Sequence, residues 1–276
     1  MRKRLVCISI LALSTVLNLP AQTYDEMVAK SYEYVDENDL FGAEETLKAA
    51  MRLEPGNRYN YALLTNLGTV QRRQGKLDEA VISYTAALGQ QPNSEIILKN
   101  RAELYTEMGE TEYALTDYQR LLSLNPRDEE ALYDRGLLYL HTEQFLLAEA
   151  DFEKIIELNP ETEQGRMGFA ILEKVRRNYS ESEVIFNYLI DKNPKNWRFY
   201  EERAELYFFM NKNGRALSDL NKVFAEVVEP SAELYVLRGR VKLAQYEKES
   251  AAIDFKKALS LGYDVETINA LLKQTF

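Results

Sequence analysis

The sequence is poor in the residues on which much enzyme chemistry depends. Its 276 residues include one cysteine, one histidine and one tryptophan. The cysteine, Cys7, lies near the N-terminus, so the chain after it offers no disulfide, no thiolate zinc site and no thiol nucleophile. With His141 as the only histidine, a multi-histidine metal site or a Ser-His-Asp triad is a poor interpretation. We therefore expect no metal site, no cofactor and no enzymatic activity.

Glycine and proline are also scarce, and the prolines are regularly placed. The chain has 12 glycines and 7 prolines, and 46% of its residues are hydrophobic, which argues against disorder. Six prolines follow Gln22, and none interrupts an apolar pattern of helical period, where it would cost about 3 kcal/mol. They are Pro55, Pro92, Pro126, Pro160, Pro194 and Pro230. These prolines predict the ends of helical hairpins.

The chain is acidic, with a formal net charge of -10. Its lysines and arginines are scattered among the acidic residues and form no basic stretch after Arg4. Such a surface repels the phosphates of nucleic acids and of anionic lipids. We expect no nucleic-acid partner.

The N-terminal segment 1–21 has the pattern of a secretory signal peptide. Met1 to Arg4 is basic, Leu5 to Leu17 is mostly apolar, and a short segment with Pro20 precedes Gln22. The apolar run is shorter than the about 20 residues that span a bilayer. Cys7 lies too early to be the lipid-bearing cysteine of a lipoprotein. We expect cleavage by a Sec-type pathway and a periplasmic or secreted chain without a membrane span.

The remaining chain, 22–276, repeats with a period of 34 residues. In the clearest segment, Gly68 is followed by Ala80, Tyr84 and Pro92, and the same types of residue recur one and two periods later. The predicted units are 24–57, 61–94, 95–128, 129–162, 163–196, 197–230 and 232–264, with a capping helix at 265–276. This period predicts a single solenoid domain rather than one spherical core.

Each unit contains two apolar stripes of helical period, which predicts two amphipathic helices. In 61–94 we expect helices over Tyr61–Gln74 and Leu77–Gly89, separated at Gly75. Small residues such as Gly68 and Ala80 allow the two helices to approach each other closely. Large aromatic residues at the positions of Tyr84 fill the space between successive hairpins. The sequence therefore predicts an all-α fold.

These residues resemble the tetratricopeptide repeat family over nearly all of the chain after Gln22. The resemblance is carried by Leu67-Gly68, Ala80, Tyr84, Ala87 and Pro92, and by their counterparts in later units. It implies a right-handed α-solenoid of about seven helix-turn-helix units, of the secreted bacterial type. It also implies a concave groove lined by first helices and a non-enzymatic scaffold that binds proteins or peptides. The unit 163–196 departs most from the family pattern, with Ser182 and Glu173 at positions where alanine and an aromatic residue are usual.

The candidate ligand-binding residues are those expected to project into this groove. They are Thr65, Asn66, Thr69, Arg73, Lys99, Asn100, Tyr133, Leu137, Met167, Glu201 and Phe208. Asn66 and Asn100 match an asparagine with which members of this family often hold the backbone of a ligand. An amide side chain can donate and accept at once, which suits an extended peptide.

We therefore predict an adaptor of the bacterial envelope with a protein or peptide partner. Two other interpretations remain open. The chain could be a structural or assembly factor that self-associates through its C-terminal helix or its convex face. It could also be an accessory protein that handles carbohydrate or lipid at an apolar end of the groove, around Leu137, Met167 and Phe208.

Overall fold

The computed structural model describes residues 23–275, so the predicted signal peptide lies outside the described residues. Between residues 23 and 275 the structure contains fifteen α-helices and no strand. They are α1 (Tyr24–Asp36), α2 (Leu40–Leu53), α3 (Asn60–Arg73), α4 (Leu77–Gln90), α5 (Glu95–Glu107), α6 (Thr111–Leu124), α7 (Glu129–His141), α8 (Phe145–Leu158), α9 (Glu163–Val175), α10 (Tyr179–Lys192), α11 (Trp197–Phe209), α12 (Asn213–Glu226), α13 (Ala232–Ala244), α14 (Lys248–Ser260) and α15 (Val265–Lys273). The all-α prediction is confirmed. The predicted α3 begins and ends one residue later than the observed helix, and the predicted α4 ends one residue earlier than the observed one.

The contacts divide the described residues into two compact units, unit 1 with residues 23–97 and unit 2 with residues 98–275. In unit 1, α1 packs on α2 and α3 packs on α4, while α2 also packs on α3. In unit 2 the pairs α7–α8, α9–α10, α11–α12 and α13–α14 form hairpins, and each second helix packs on the first helix that follows it. This succession of hairpins is an α-solenoid, as predicted. The single superhelix over 22–276 and its right-handed sense remain predictions.

Most of the hairpin turns contain one residue with a positive φ angle. At Gly75 the angle is 76° and at Gly109 it is 75°, values that glycine adopts without a steric penalty. After Gly75, the amide of Lys76 donates to the carbonyl oxygen of Gln71 at 2.9 Å and closes the end of α3. Later turns place residues other than glycine in the same conformation, among them Glu143, Arg177 and Tyr246. Gly75 therefore ends α3 as predicted.

The core of several hairpins is a small residue against an aromatic ring. A Cβ atom built on Gly68 would lie 2.8 Å from Cε1 of Tyr84. The same construction on Gly136 gives 2.5 Å to Cε1 of Phe152. Gly239 of α13 faces the ring of Phe255 in α14 in the same way. Real side chains do not come this close, so these positions require glycine as long as the ring keeps its place. The predicted close approach at the small residues is thus observed, and the aromatic ring that meets Gly68 comes from the same hairpin.

Four hairpins, α5–α6, α7–α8, α11–α12 and α13–α14, carry an ion pair that sequence reasoning missed. In each, an arginine of the first helix binds both carboxylate oxygens of an aspartate in the second helix. The pairs are Arg101–Asp117, Arg135–Asp151, Arg203–Asp219 and Arg238–Asp254. Their recurrence with the repeat was visible in the sequence. These bidentate pairs join the two helices of each hairpin.

The hairpin of α9 and α10 lacks this pair. Phe169 and Ile185 stand one repeat period after Arg135 and Asp151, so two apolar side chains replace the two charges. In the same hairpin Ser182 takes the place of the buried alanine, and its hydroxyl donates to a carbonyl oxygen of α9 at 2.7 Å. This is the unit whose sequence departs most from the repeat pattern. The two helices still pack together without the ion pair.

Candidate binding surface

A small pocket lies between α1 and α3 of unit 1. Its volume is about 100 Å³, and Val35, Leu47 and Val70 give it apolar walls. The polar residues around it are Ser31, Tyr32, Asn66, Thr69 and Arg73. We call this the unit 1 pocket. It brings together three of the predicted site residues.

The polar side chains of the unit 1 pocket are held by hydrogen bonds. The amide nitrogen of Asn66 donates to the Tyr32 hydroxyl at 3.1 Å. The guanidinium of Arg73 donates to Oδ1 of Asn38 at 2.9 Å. The Thr69 hydroxyl lies 2.9 Å from the hydroxyl of Tyr84. Because these groups are already ordered, a ligand would meet a preformed surface at little entropic cost.

Thr65 does not reach this pocket. Its side chain is buried, and its hydroxyl donates to the carbonyl oxygen of Tyr61 at 2.7 Å, one turn earlier in α3. A threonine whose hydroxyl bonds back to its own helix packs against its neighbours and offers little to a ligand.

Two predicted residues lie near the start of unit 2, on α5. Lys99 forms an ion pair with Glu130 of α7, and Asn100 is half-buried beside it. The Lys99–Glu130 pair links the first helices of two successive hairpins. A partner that approaches this position meets paired charges rather than a free cation.

Tyr133 and Met167 are buried, at 2% and 4% exposure, so they pack between helices. The Tyr133 hydroxyl has no hydrogen-bond partner in the part of the chain that the structure describes. Burial raises its pKa to about 12, although the positive charge of Arg198 opposes the shift. That guanidinium lies over the Tyr133 ring at 5.6 Å from its centroid. Tyr133 and Met167, which were predicted to project into the groove, are therefore part of the packing between helices.

Leu137 and Phe208 are half-buried. Phe208 packs against the core of α9 to α13, and the guanidinium of Arg240 lies 5.0 Å from the centroid of its ring. The apolar surface predicted at this end is therefore partly covered by a cation. Phe208 and Leu137 remain candidates for contact with a partner.

Glu201, the last predicted site residue, lies in α11 within an acidic group. Burial raises the pKa of its carboxyl, the neighbouring Glu202 raises it further, and Arg198 partly offsets both. Next to it, the buried ammonium of Lys174 binds Glu202 at 2.6 Å and also binds Glu205. The sequence analysis did not predict this ion triad.

Asp134 of α7 has a strongly perturbed carboxyl. Burial, and then the charge of Glu130, raise its pKa to about 6, although the Tyr118 hydroxyl donates to it at 3.3 Å. In the unfolded chain an aspartate has a pKa of about 3.9. The folded protein therefore holds this proton more tightly, and ionisation destabilises it. That penalty is absent below about pH 4 and fully present above about pH 6.

Asp134→Asn should remove this penalty. We expect the variant to gain about 1–2 kcal/mol in its free energy of unfolding at pH 7, a value reduced for partial solvent screening. At pH 4 the gain should largely vanish, because the wild-type carboxyl is then mostly protonated in the folded state. Urea denaturation at the two pH values measures the difference, with the exposed Asp191→Asn as the control. A gain of equal size at both pH values would contradict the interpretation.

The described residues contain no group of three or more His, Cys, Asp or Glu side chains placed to hold a metal ion. His141 lies exposed at the end of α7. Within residues 23–275, no helix is both long enough and apolar enough to span a membrane.

The fold and the repeat pattern recur in known proteins. Two sequence profiles described as tetratricopeptide repeat match residues 28–95 and 103–167. A tetratricopeptide repeat protein from Parabacteroides merdae ATCC 43184, known from a crystal structure, is 61% identical to this chain in sequence. The two structures superpose with a TM-score of 0.86, and the match covers 92% of this chain and 99% of that one. The chain belongs to the tetratricopeptide repeat family. The family resemblance inferred from the repeat residues is confirmed.

Other solved structures with lower sequence identity share only the fold with this chain. PilW, a type IV pilus biogenesis factor, is 18% identical with a TM-score of 0.60, over 76% of this chain and 98% of PilW. The MamA protein is 19% identical with a TM-score of 0.55, over 63% of this chain and 94% of MamA. No curated protein matches the sequence. Tetratricopeptide repeat proteins in general mediate interactions between proteins, and we expect the same of this one.

Proposed function

We propose that this tetratricopeptide repeat protein is a non-enzymatic adaptor of the bacterial envelope that binds a protein or peptide partner. The partner would contact the first helices of the hairpins, and the observation that carries the proposal is the unit 1 pocket. That pocket combines apolar walls with an amide, a hydroxyl and a guanidinium at its edge. Apolar side chains of a peptide would enter it, while its backbone would bind Asn66, Thr69 and Arg73.

The proposed location of the protein in the bacterial envelope is based on its N-terminal sequence. Met1 to Arg4 is basic and Leu5 to Leu17 is apolar, which is the pattern of a cleaved signal peptide. The expected mature chain begins at Gln22. The N-terminal sequence of the protein recovered from the periplasm or the culture medium tests this part of the proposal.

Self-association is the second candidate, and one observation favours it. In the last hairpin, Tyr246 and Ile253 are 89% and 68% exposed, and both line one open depression. Such apolar residues would be covered in a dimer. Light scattering over a range of concentrations tests it, since self-association predicts a mass that rises with concentration. The carbohydrate or lipid alternative is less favoured, because Met167 is buried and Arg240 covers part of Phe208.

The adaptor proposal makes a prediction for Asn66→Ala combined with Asn100→Ala. A crosslinked pull-down of the mature chain from its own envelope fraction should identify a stoichiometric partner. The double variant should bind that purified partner about tenfold more weakly, because two hydrogen bonds of about 0.5–1.5 kcal/mol each are lost. The melting temperature should change little, since neither side chain is in the core.

The matched control is Gln90→Ala with Gln119→Ala, which removes two exposed amides from the second helices α4 and α6. It should leave the affinity for the partner unchanged. Equal affinity of the Asn66/Asn100 variant and the wild type would show that these asparagines do not form the site. Self-crosslinks without any other enriched protein would favour the self-association candidate.

A further inference from the structure

A pocket of unit 2 lies between the second helices α6 and α8, and residues of α7 complete its lining. Its volume is about 380 Å³, within the about 300–1,000 Å³ of typical small-molecule sites. Its apolar lining consists of Leu122, Pro126, Leu132 and Ala150. The two leucines are buried, so they offer a fixed apolar surface. We call this the α6–α8 pocket.

The α6–α8 pocket also contains the ion pair of its hairpin. Arg135 donates to Asp151 through Nε at 2.9 Å and through Nη2 at 2.6 Å, and both residues line the pocket. The third nitrogen of the guanidinium, Nη1, makes no hydrogen bond in the part of the chain that the structure describes. Nη1 carries two of the five N–H donors of an arginine. Because 18% of the Arg135 side chain is exposed, these unused donors can be reached from outside.

The same nitrogen is occupied in a sister hairpin. Nη1 of Arg203 donates to Oδ1 of Asn187, in the preceding second helix, at 2.6 Å. Gln119 stands 16 residues before Arg135, as Asn187 stands before Arg203, and it lines the α6–α8 pocket. Within the described residues no hydrogen bond joins Gln119 to Arg135. The repeat therefore shows where an acceptor for Arg135 would lie, and this place is open.

The arginine of the last hairpin is covered in another way. The ring of Phe224, in the preceding second helix, has its centroid 3.5 Å from the guanidinium carbon of Arg238, which is a close cation–π contact. For Arg135 the ring of Tyr139 is farther away, at 5.7 Å. Of these three ion pairs, the one in the α6–α8 pocket therefore leaves its guanidinium accessible to an external acceptor.

Lys154 of α8 adds a second cation to the lining. Its ammonium binds Glu157 at 2.9 Å, and the two side chains are 46% and 68% exposed. An exposed pair of this kind is weak, so it does not prevent Lys154 from binding a better placed anion. Two cations and one carboxylate, that of Asp151, line the pocket, which is therefore positive on a protein of net charge -10. Such local charge attracts an anionic ligand.

We propose that the α6–α8 pocket binds a small organic acid with an apolar body. Its carboxylate would accept hydrogen bonds from Nη1 of Arg135 and from the ammonium of Lys154, and its apolar body would contact Leu122 and Leu132. Guanidinium and ammonium groups form charge-assisted hydrogen bonds with carboxylates. This site goes beyond the proposed adaptor function, because it lies between second helices, whereas the partner would contact first helices.

The lining favours a monoanion over a phosphate. Asp151 is already bound to Arg135, and its negative charge remains beside the site. A phosphate with two charges would be repelled by this carboxylate more strongly than an acid with one charge. The carboxylate is also planar and matches the planar edge of a guanidinium.

The test uses four acids as probes: butyrate, hexanoate, octanoate and phenylacetate. Octanoate should bind the isotope-labelled mature chain saturably in two-dimensional NMR, and the shifted amides should concentrate between residues 119 and 154. Octanamide and phenylacetamide keep the shape of two probes without the charge, so they should bind about tenfold more weakly than their acids. The proposal is overturned by the absence of saturable shifts with all four acids, by equal binding of acids and amides, or by shifts centred elsewhere.

Lys154→Gln localises the charge that the acid needs. It should weaken octanoate about tenfold, because one charge-assisted hydrogen bond is lost, and should leave octanamide unaffected. The control, Lys256→Gln, makes the same change on the exposed surface of α14 and should not alter binding. Arg135 is kept, because its pair with Asp151 joins α7 to α8. An equal loss in both variants would show attraction by net charge alone and would refute the site.

Gln119→Asn tests the open donors of Arg135. Asparagine reproduces the arrangement of Asn187 and Arg203, so its amide oxygen should occupy Nη1 and weaken octanoate about tenfold. Gln90→Asn, the same change on the exposed surface of α4, is the control and should have no effect. Melting curves of these variants should match that of the wild type. If octanoate binds Gln119→Asn and Lys154→Gln as tightly as the wild type, the acid does not use this pocket.

Discussion

Arg135→Met should lower the free energy of unfolding by about 3 kcal/mol. The guanidinium of Arg135 donates to the two oxygens of Asp151 at 2.9 and 2.6 Å, and the Asp151 side chain is only 7% exposed. Burial raises the pKa of Asp151, and Arg135 partly counteracts that shift. Without the arginine, a buried carboxylate is left unpaired, which typically costs about 3–5 kcal/mol. We take the lower end because solvent partly reaches Arg135.

The deficit should depend on pH. In the variant, Asp151 has lost its counter-charge, so the pKa of its carboxyl rises further and the carboxyl takes up a proton on acidification. The stability deficit of Arg135→Met should therefore be smaller at pH 4 than at pH 7. The exposed Arg127→Met is the control, and it should change stability by less than about 0.5 kcal/mol at either pH. A deficit that is independent of pH would mean that lost packing, rather than the unpaired charge, is the cause.

The repeat array itself suggests the rescue. Phe169 and Ile185 occupy the positions of Arg135 and Asp151 in the next hairpin, and that hairpin folds without the ion pair. Arg135→Phe with Asp151→Ile should thus recover most of the loss, to within about 1 kcal/mol of the wild type. Urea denaturation followed by circular dichroism measures all three variants. A double variant no more stable than Arg135→Met would show that the pair gives more than charge compensation.

The regular parts of this fold were predictable because one period sets both packing and chain reversal. Prolines marked the ends of hairpins, and the small residues Gly68 and Ala80 marked the close approach of α3 and α4, which the structure shows at Gly68. Helix bounds were accurate because Gly75 both ends α3 and adopts the positive φ of the turn. Each of these signals depends on residues near one another in sequence. Their recurrence along the array made a weak local signal strong.

The candidate site was less predictable, because helical period gives the direction of a side chain but not the depth at which it lies. Tyr133 and Met167 occupy positions equivalent to Lys99 and Glu201, yet the first two are buried and the latter two are not. The burial of a side chain at this position depends on how the first helix of its hairpin packs on the first helix of the next hairpin, and this packing differs between hairpins. The Lys174 triad was missed for the same reason, since its carboxylates come from α11, in the following hairpin.

Gly168→Ala should also destabilise unit 2, because it overpacks a site where the usual cost is about 1–3 kcal/mol. A Cβ atom at this position would lie 2.6 Å from Cε1 and 2.7 Å from Cγ of Phe152, and hence against the root of the ring as well as its edge. Phe152 is fully buried, and the rings of Tyr133 and Phe169 lie 6.0 and 6.1 Å from it, so it has no free space to enter. We expect a loss near the middle of that range, measured by urea denaturation.

The loss of stability caused by the contact with Phe152 can be separated from the gain that alanine gives any helix over glycine. Gly214→Ala, in α12, meets no atom within 4 Å and should stabilise the protein by about 0.5–1 kcal/mol. Opposite signs for the two glycines would therefore identify contact with Phe152 as the cause. Combining Gly168→Ala with Phe152→Leu should cost at least about 1 kcal/mol less than the two single losses together, because the smaller side chain removes the clash. Strict additivity in urea denaturation would mean that α9 moves away from α8 to accommodate the methyl group, and that the Phe152 ring does not set the distance between these helices.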